Sequence, residues 1–403
     1  MQMAAGAARR DIQVMGLISV AHFLSHIYMF ALVPLYPLLR DALGIGYTEV
    51  GLAITVLAVF TGGLQAPMGF LVDRIGGRTV LIVGLFVNAA AIGAIGFVTA
   101  FWQLLLLLAV AGMGSSVFHP ADYSILSVAI SEKRLGRAFA AHSMGGQLGA
   151  VVVAPLIVLM VQFMSWRTAM ETIGVVGMAL AIIMLACSGV IGHGGHTKKK
   201  ESALARWRAL LTSRPVMLFF IFYLGSSAAN AGMVQFSMAA FHEIYGLPLT
   251  VTAWVLTIYQ ATSLLAVLPG GWLADRTDQH DWVLVWCYVG AAVLVVLGGI
   301  GIMPFWPAVI LVGIAGGLRG LMNAARDVSV RHAAGNGLSV GTVFAFVTTG
   351  YSVGQSFGPP IYGLLLDYGS PEIVFWASAL FSLISVSTVF MGRSARTRLA
   401  AAE

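Results

Sequence analysis

Apolar runs of about 20 residues or more, each closed by a short polar segment, repeat along the whole chain. One such run crosses the hydrocarbon core of a bilayer as a helix. Twelve spans are predicted, over about 12–39, 48–70, 79–98, 102–130, 137–163, 168–190, 216–241, 250–273, 281–303, 306–331, 340–365 and 371–392. Polar residues inside some spans recur every three or four positions, the spacing that gathers them on one helical face. The first span has His22 and His26, with Ser19 on much the same face; the fourth has Ser115, His119 and Asp122; the tenth has Arg319, Asn323 and Arg326. The pattern predicts an all-α membrane protein.

The longest polar interruption is 191–215, which runs through Gly192, His193, Gly194, Gly195, His196 and Thr197 into Lys198, Lys199 and Lys200. It divides an N-terminal six-helix bundle, 1–190, from a C-terminal one, 216–403. Its histidines read as part of a solvated loop rather than a metal site. Arg206, Trp207 and Arg208 have the composition of a short surface helix on anionic headgroups, though a simple connector accounts for them as well.

The halves repeat each other. Gly69-Phe70-Leu71-Val72-Asp73-Arg74 ends the second span, and Gly271-Trp272-Leu273-Ala274-Asp275-Arg276 ends the eighth, 202 residues on. Each copy has a proline two residues before its glycine, Pro67 and Pro269. Ala111-Gly112-Met113-Gly114 recurs as Ala315-Gly316-Gly317-Leu318 at an offset of 204, and the fifth and eleventh spans align from Gly136 and Gly341 at 205. Internal repeats of this size are how alternating-access carriers are built.

Composition agrees: the 403 residues are 59% hydrophobic and 9% charged, against roughly 25% charged in a soluble domain. With both termini cytoplasmic, eighteen of the 22 Lys and Arg fall in cytoplasmic segments, leaving Arg40, Arg167, Arg319 and Arg326. The net charge of +6 then reports topology and not nucleic-acid binding. The first apolar run is too long for a signal peptide and lacks a small-residue cleavage site, so none is expected. Cys187 and Cys287 lie in separate spans, which argues against a disulfide or a catalytic thiol.

The segment Gly69-x-x-x-Asp73-Arg74-x-Gly76-Gly77-Arg78 resembles the signature loop of the major facilitator superfamily, with Gly77 in place of the usual basic residue. The resemblance covers the whole chain. Phe118-His119-Pro120 and Gly145-Gly146-Gln147-Leu148-Gly149 further resemble the fosmidomycin-resistance group of exporters. The family resemblance implies twelve transmembrane helices in two six-helix bundles, and the subgroup implies proton-driven export of a small anionic compound. It also implies a gate: Gly69, Asp73, Arg74 and Arg78 would lie under the eleventh span near Val340, where Asp73 meets a helix N-terminus. Asp275 and Arg276 would do the same near Gly136. A plain solvated loop is the bland alternative.

Ionisable groups at membrane depth cost about 2.5–3.5 kcal/mol each on insertion scales, which makes them functional candidates. The 204 offset pairs His119 with Asn323 and Asp122 with Arg326. Asp122 can neutralise one arginine, and Arg326 is the match by depth. Arg319 is left free to bind a carboxylate or phosphonate as a two-pronged fork; the bland reading is that it bonds helix carbonyls. Asp122, His22 and His26 are the candidates for proton coupling, histidine because it titrates near neutral pH. His142, near the cytoplasmic end of its span, carries less weight. His22 and His26 could chelate a metal, but no third ligand has matching spacing, so no metal or other cofactor is expected. Gln147, Asn230, Tyr259, Tyr351 and Gln355 complete a polar pocket with Arg319, Asn323, Arg326 and His119, and Gln235 and Gln260 lie on the same spans. Asp327 is expected to pair with Arg331.

These readings give a proton-coupled antiporter in the inner membrane, multi-pass and monomeric, whose partners are a small organic anion, protons and the bilayer, and not nucleic acid. An importer using the same residues is the close alternative. A multidrug exporter of lipophilic cations would want an unpaired acidic residue in the first span. A membrane-embedded enzyme would show a zinc, nucleophile or phosphate-loop motif, and none is found; a sensor would need an attached signalling domain.

Overall fold

The computed structural model describes residues 2–191, 210–334 and 340–400, and every regular element among them is helical. Most of the predicted linker, with His193, His196, Lys198, Lys199, Lys200, Arg206, Trp207 and Arg208, lies outside the described residues. The chain divides into two compact units. Unit 1 is Met1–Ile45 with Ala53–Lys199, and unit 2 is Gly46–Leu52 with Lys200–Glu403.

In unit 1, α1 (Gln2–Phe30) is followed by a 3-10 turn, Val33–Leu35, and by α2 (Tyr36–Leu43). Pro34 has no N–H to bond the carbonyl of Phe30, four residues back, and its ring crowds that carbonyl, so α1 stops there. Next come α3 (Tyr47–Ile75) and α4 (Gly77–Ala94), separated only by Gly76 at φ +91°. A side chain is disfavoured at that angle, and glycine lets the helices turn within one residue. The fourth predicted span is two helices, α5 (Phe101–Ser115) and α6 (Phe118–Ala129). Pro120 causes the break, because it cannot bond the carbonyl of Ser116. α7 (Glu132–Phe163), α8 (Trp166–Ala186) and the short α9 (Ser188–Ile191) complete the unit.

Unit 2 contains α10 (Arg214–Ala231), which runs through a π-helical turn, Gly232–Phe236, into α11 (Ser237–Tyr245). Then follow α12 (Leu249–Asp275), α13 (His280–Gly299), α14 (Phe305–Leu321), α15 (Asn323–Ala334), α16 (Val340–Tyr368) and α17 (Ile373–Ala400). The tenth predicted span is thus α14 and α15, interrupted at Met322 without any proline. The first turn of α3 is packed into this unit. Asp367 accepts hydrogen bonds from the Tyr47 amide at 2.8 Å and from the Thr48 amide and hydroxyl, each at 2.7 Å.

Helix pairing inside the units follows the sequence repeat. In unit 1, α1 packs on α7, and α4 on α5 and α8; in unit 2, α10 packs on α16, and α13 on α14 and α17. Side chains such as Phe219, Phe222, Tyr288, Val343 and Val347 form a packed core in unit 2. Leu106, Ile182, Val293 and Leu380 are among many large apolar residues left exposed, the surface a lipid solvent requires. Eleven segments among the described residues are long and apolar enough to cross a membrane. The eleventh predicted span, 340–365, is the one not among them; it corresponds to α16, which has the length but is more polar, with Thr348, Thr349, Tyr351, Ser352, Gln355 and Ser356.

Candidate functional site

Polar groups gather inside each unit among the described residues. In unit 1 three helices bring together four imidazoles and a carboxylate. α1 supplies His22 and His26, whose rings are 4.8 Å apart, α6 supplies His119 and Asp122, and α7 supplies His142. His142 stacks on His22 with centroids 3.8 Å apart, and His119 lies 5.3 Å from His22. Asp122 is fully buried; its Oδ2 is 3.5 Å from Nδ1 of His22 and 3.7 Å from Nδ1 of His142. Both Asp122 oxygens, both His142 nitrogens and Nδ1 of His22 and His26 are buried without a hydrogen-bond partner. Buried polar groups are nearly always satisfied, which makes this cluster the most under-bonded group of unit 1 among the described residues. One ring nitrogen each of His22, His119 and His142 lies within 4.8 Å of the others.

Two sequence expectations change here. A third and a fourth imidazole, which spacing in the first span did not offer, come from α6 (His119) and α7 (His142). His142, expected at the periphery, is buried at the centre. Its signal was in the sequence: Gly146, one turn later on the same face, leaves room for α1. A methyl at Gly146 would stand 2.7 Å from Nε2 of His26 and 2.8 Å from Nε2 of His22. The neighbouring Gln147 is half-buried.

In unit 2, Arg319 near the end of α14 lines a narrow cavity with Tyr259, Tyr288, Met233, Ser378 and Ser382. Its guanidinium reaches the Ser226 carbonyl at 3.4 Å and hydroxyl at 3.5 Å, long for hydrogen bonds, and stands 5.8 Å from the centre of the Tyr288 ring. Ser226 and Tyr288 are joined by a short hydroxyl–hydroxyl bond. No carboxylate pairs with Arg319 among the described residues, and the buried Tyr259 hydroxyl has no partner. Asn230, Tyr351, Gln355 and Gln235 form a second group. Gln355 donates to the Tyr351 hydroxyl at 3.2 Å, Gln235 donates to Gln355 at 3.1 Å, and Asn230 lies 3.5 Å from Tyr351. Asn323, half-buried, begins α15 directly after the break at Met322.

Arg326 departs from expectation. It pairs with Asp327, at 2.9 Å and 3.0 Å, and lies over the Tyr223 ring. The depth match with Asp122 and the Asp327–Arg331 pair are both replaced by this one local contact. Arg326 therefore already has an anion, and Arg319 has none among the described residues.

The two repeated loops differ in detail. In unit 1 Arg78 bonds the Ser188 carbonyl at 2.9 Å, Asp73 is half-buried and Arg74 is exposed. A methyl at Gly69 would meet only Pro120, at 4.0 Å, whereas one at Gly77 would meet the Ala121 carbonyl at 3.2 Å. The close approach is thus made by Gly77, where the family pattern has a basic residue, and not by Gly69. In unit 2 Asp275 is exposed and Arg276 stacks on Trp272 at 3.9 Å.

The family model described as Major Facilitator Superfamily matches residues 18–253 and 224–402. Among curated proteins, the fosmidomycin resistance protein of Escherichia coli (strain K12) is 23% identical over 400 residues, 95% of this chain and 94% of that one. A probable L-galactonate transporter of the same strain is 25% identical over 251 residues, and the match spans 59% of this chain and 55% of that relative. A solved bacterial homologue of the human lysosomal transporter Spinster, inward-facing and unoccupied, shares the fold at a TM-score of 0.76. It is 14% identical over 94% of each chain.

Proposed function

Because the chain belongs to the major facilitator superfamily, and is therefore a multi-pass membrane transporter of small organic substrates and not an enzyme, we propose that it exports a small organic anion in exchange for protons. Alternating access in the inner membrane is the mode of action, with α16 as the eleventh of twelve crossings and both termini cytoplasmic. One observation carries the anion reading: Arg319 is a half-buried guanidinium without a carboxylate partner among the described residues. A cation at membrane depth is held by an opposite charge or lines a substrate path. A carboxylate or phosphonate fits both prongs of the guanidinium, and the unpartnered Tyr259 hydroxyl can donate a further bond.

Asn323, Arg326, Asn230, Tyr351, Gln355, His119 and Gln147 are assigned to the substrate path, and Asp122, His22 and His26 to the coupling proton. The loops around Asp73 and Asp275 are assigned to the gate. The export direction follows the relative named for fosmidomycin resistance, and the anion chemistry is in keeping with the relative named for L-galactonate.

The test is thermal stabilisation of the purified protein by small phosphonates, carboxylates, neutral sugars and lipophilic cations. A ligand at a hundred times its Kd adds about 2.7 kcal/mol to stability. Anions should stabilise the wild type, fail with Arg319→Ala and act weakly with Arg319→Lys, which keeps the charge but loses the fork. Stabilisation by cations or sugars alone, or an unchanged response in Arg319→Ala, rules the reading out.

A further inference from the structure

The unit 1 pocket is better furnished than a proton needs. His22, His119 and His142 each offer a ring nitrogen within 4.8 Å of the other two, and several buried nitrogens in the group have no hydrogen-bond partner. We propose that this pocket binds one late-transition divalent cation, of the zinc, cobalt or nickel class, through His22, His119 and His142. The inference stands on the pocket alone and does not depend on the anion reading, but a bound ion would compete with the coupling proton for His22.

Four features select such an ion. The donors are imidazole nitrogens, the preferred ligands of these metals, whereas magnesium and calcium take oxygen. Asp122 Oδ2 faces Nδ1 of both His22 and His142, at 3.5 Å and 3.7 Å. A carboxylate behind the ring fixes the tautomer and turns Nε2 toward the metal, the arrangement seen behind metal-bound histidines. Gly146 has no side chain, which is what lets the His22 and His26 rings approach α7 closely enough to lie beside His142. Finally, His22 and His142 are buried while His119 is exposed, which gives the site an entry side.

The ligands must draw in slightly to bind. Tetrahedral zinc with nitrogen ligands at 2.0–2.1 Å keeps them roughly 3.4 Å apart. The exposed His119 ring would rotate inward, and the stacked His22 and His142 rings, 29° apart in plane, would turn to aim their nitrogens at one point. His26, 4.8 Å from His22, stands ready as a fourth ligand; water serves otherwise. One carboxylate then balances one of the two positive charges, and the bound ion denies protons the lone pairs they would use.

The decisive experiment titrates cobalt into full-length, tag-free, metal-stripped protein, reading visible absorption and counting bound metal by equilibrium dialysis. One cobalt per chain is expected, with the intense bands of a low-symmetry nitrogen site. Asp122→Asn should keep that stoichiometry while affinity falls about 10–100-fold and the bands shift, as a positioning residue requires. His142→Ala and His119→Ala should lose affinity by more than that, and His119, being exposed, can be removed without unfolding the unit. A His193→Ala/His196→Ala double variant serves as control and should bind like the wild type. The proposal fails if wild type binds no cobalt, if binding survives in folded His119→Ala, or if the control loses it.

Discussion

Gly146 carries no side chain at the point where two imidazoles of α1 reach α7, and the whole pocket depends on that. Gly146→Ala would put a methyl 2.7–2.8 Å from both Nε2 atoms, so overpacking should destabilise the protein by about 1–3 kcal/mol. Thermal unfolding of the variant checks this, and an unchanged midpoint would show that the rings move aside freely. Tyr259 makes the opposite case. Its buried hydroxyl lacks a partner, so Tyr259→Phe should leave stability unchanged or raise it by about 1 kcal/mol, while weakening stabilisation by anions. A marked loss of stability without ligand would mean the hydroxyl is bonded after all. At this scale the sequence was legible in kind: His22, His26, His119, Asp122 and Arg319 stand out as polar groups at membrane depth. Partners were not legible. An offset of 204 relates equivalent depths in two repeats, which is not contact. Arg326 instead met its neighbour in the chain, Asp327, at the more exposed end of the span. Such a half-exposed pair contributes little, about 0–1 kcal/mol, so Asp327→Asn should change stability hardly at all when measured by the same unfolding scan.

Helices rather than residues carried the strongest sequence signal, because soluble folds rarely hold apolar runs long enough to cross a bilayer. The predicted spans recur as helices close to their expected bounds. Interruptions inside them were harder to see. The stop after Phe30 and the break after Ser115 follow from Pro34 and Pro120, and a proline-aware reading would have placed both. The π turn at Gly232–Phe236 and the break at Met322 have no such marker. They sit beside Asn230, Gln235, Arg319 and Asn323, where helices that line binding sites are commonly irregular. One loop tests the local argument. Gly76→Ala forces a side chain to φ +91° and ψ 141°, a region close to glycine-only, which should cost about 1–3 kcal/mol, visible as lower thermal stability. The same substitution at Gly136, in open space, should show no comparable loss.

The molecule as a whole is two repeats with matching internal pairings, and the repeated Gly-x-x-x-Asp-Arg motif already announced two related halves. What the repeat could not announce is the asymmetry of α3, whose first turn, Gly46–Leu52, packs with unit 2 while the rest packs with unit 1. Asp367 holds that turn through three hydrogen bonds, and Glu243 accepts a fourth from the Tyr47 hydroxyl at 2.9 Å. Hydrogen bonds to a charged acceptor contribute about 1.5–3 kcal/mol each. Asp367→Ala should therefore lower stability by at least ~2 kcal/mol, with faster amide exchange at Tyr47 and Thr48 as the local sign. Unaltered exchange there would show that the turn is held by other contacts.

That shared turn also bears on how the protein can be recombined. A chimaera joined in the linker between this chain and a distant homologue would inherit Tyr47 and Thr48 from one parent and Asp367 and Glu243 from the other. A crossover in the linker alone separates these residues, and crossovers that transplant residues 46–52 together with the C-terminal half should give the hybrids that assemble.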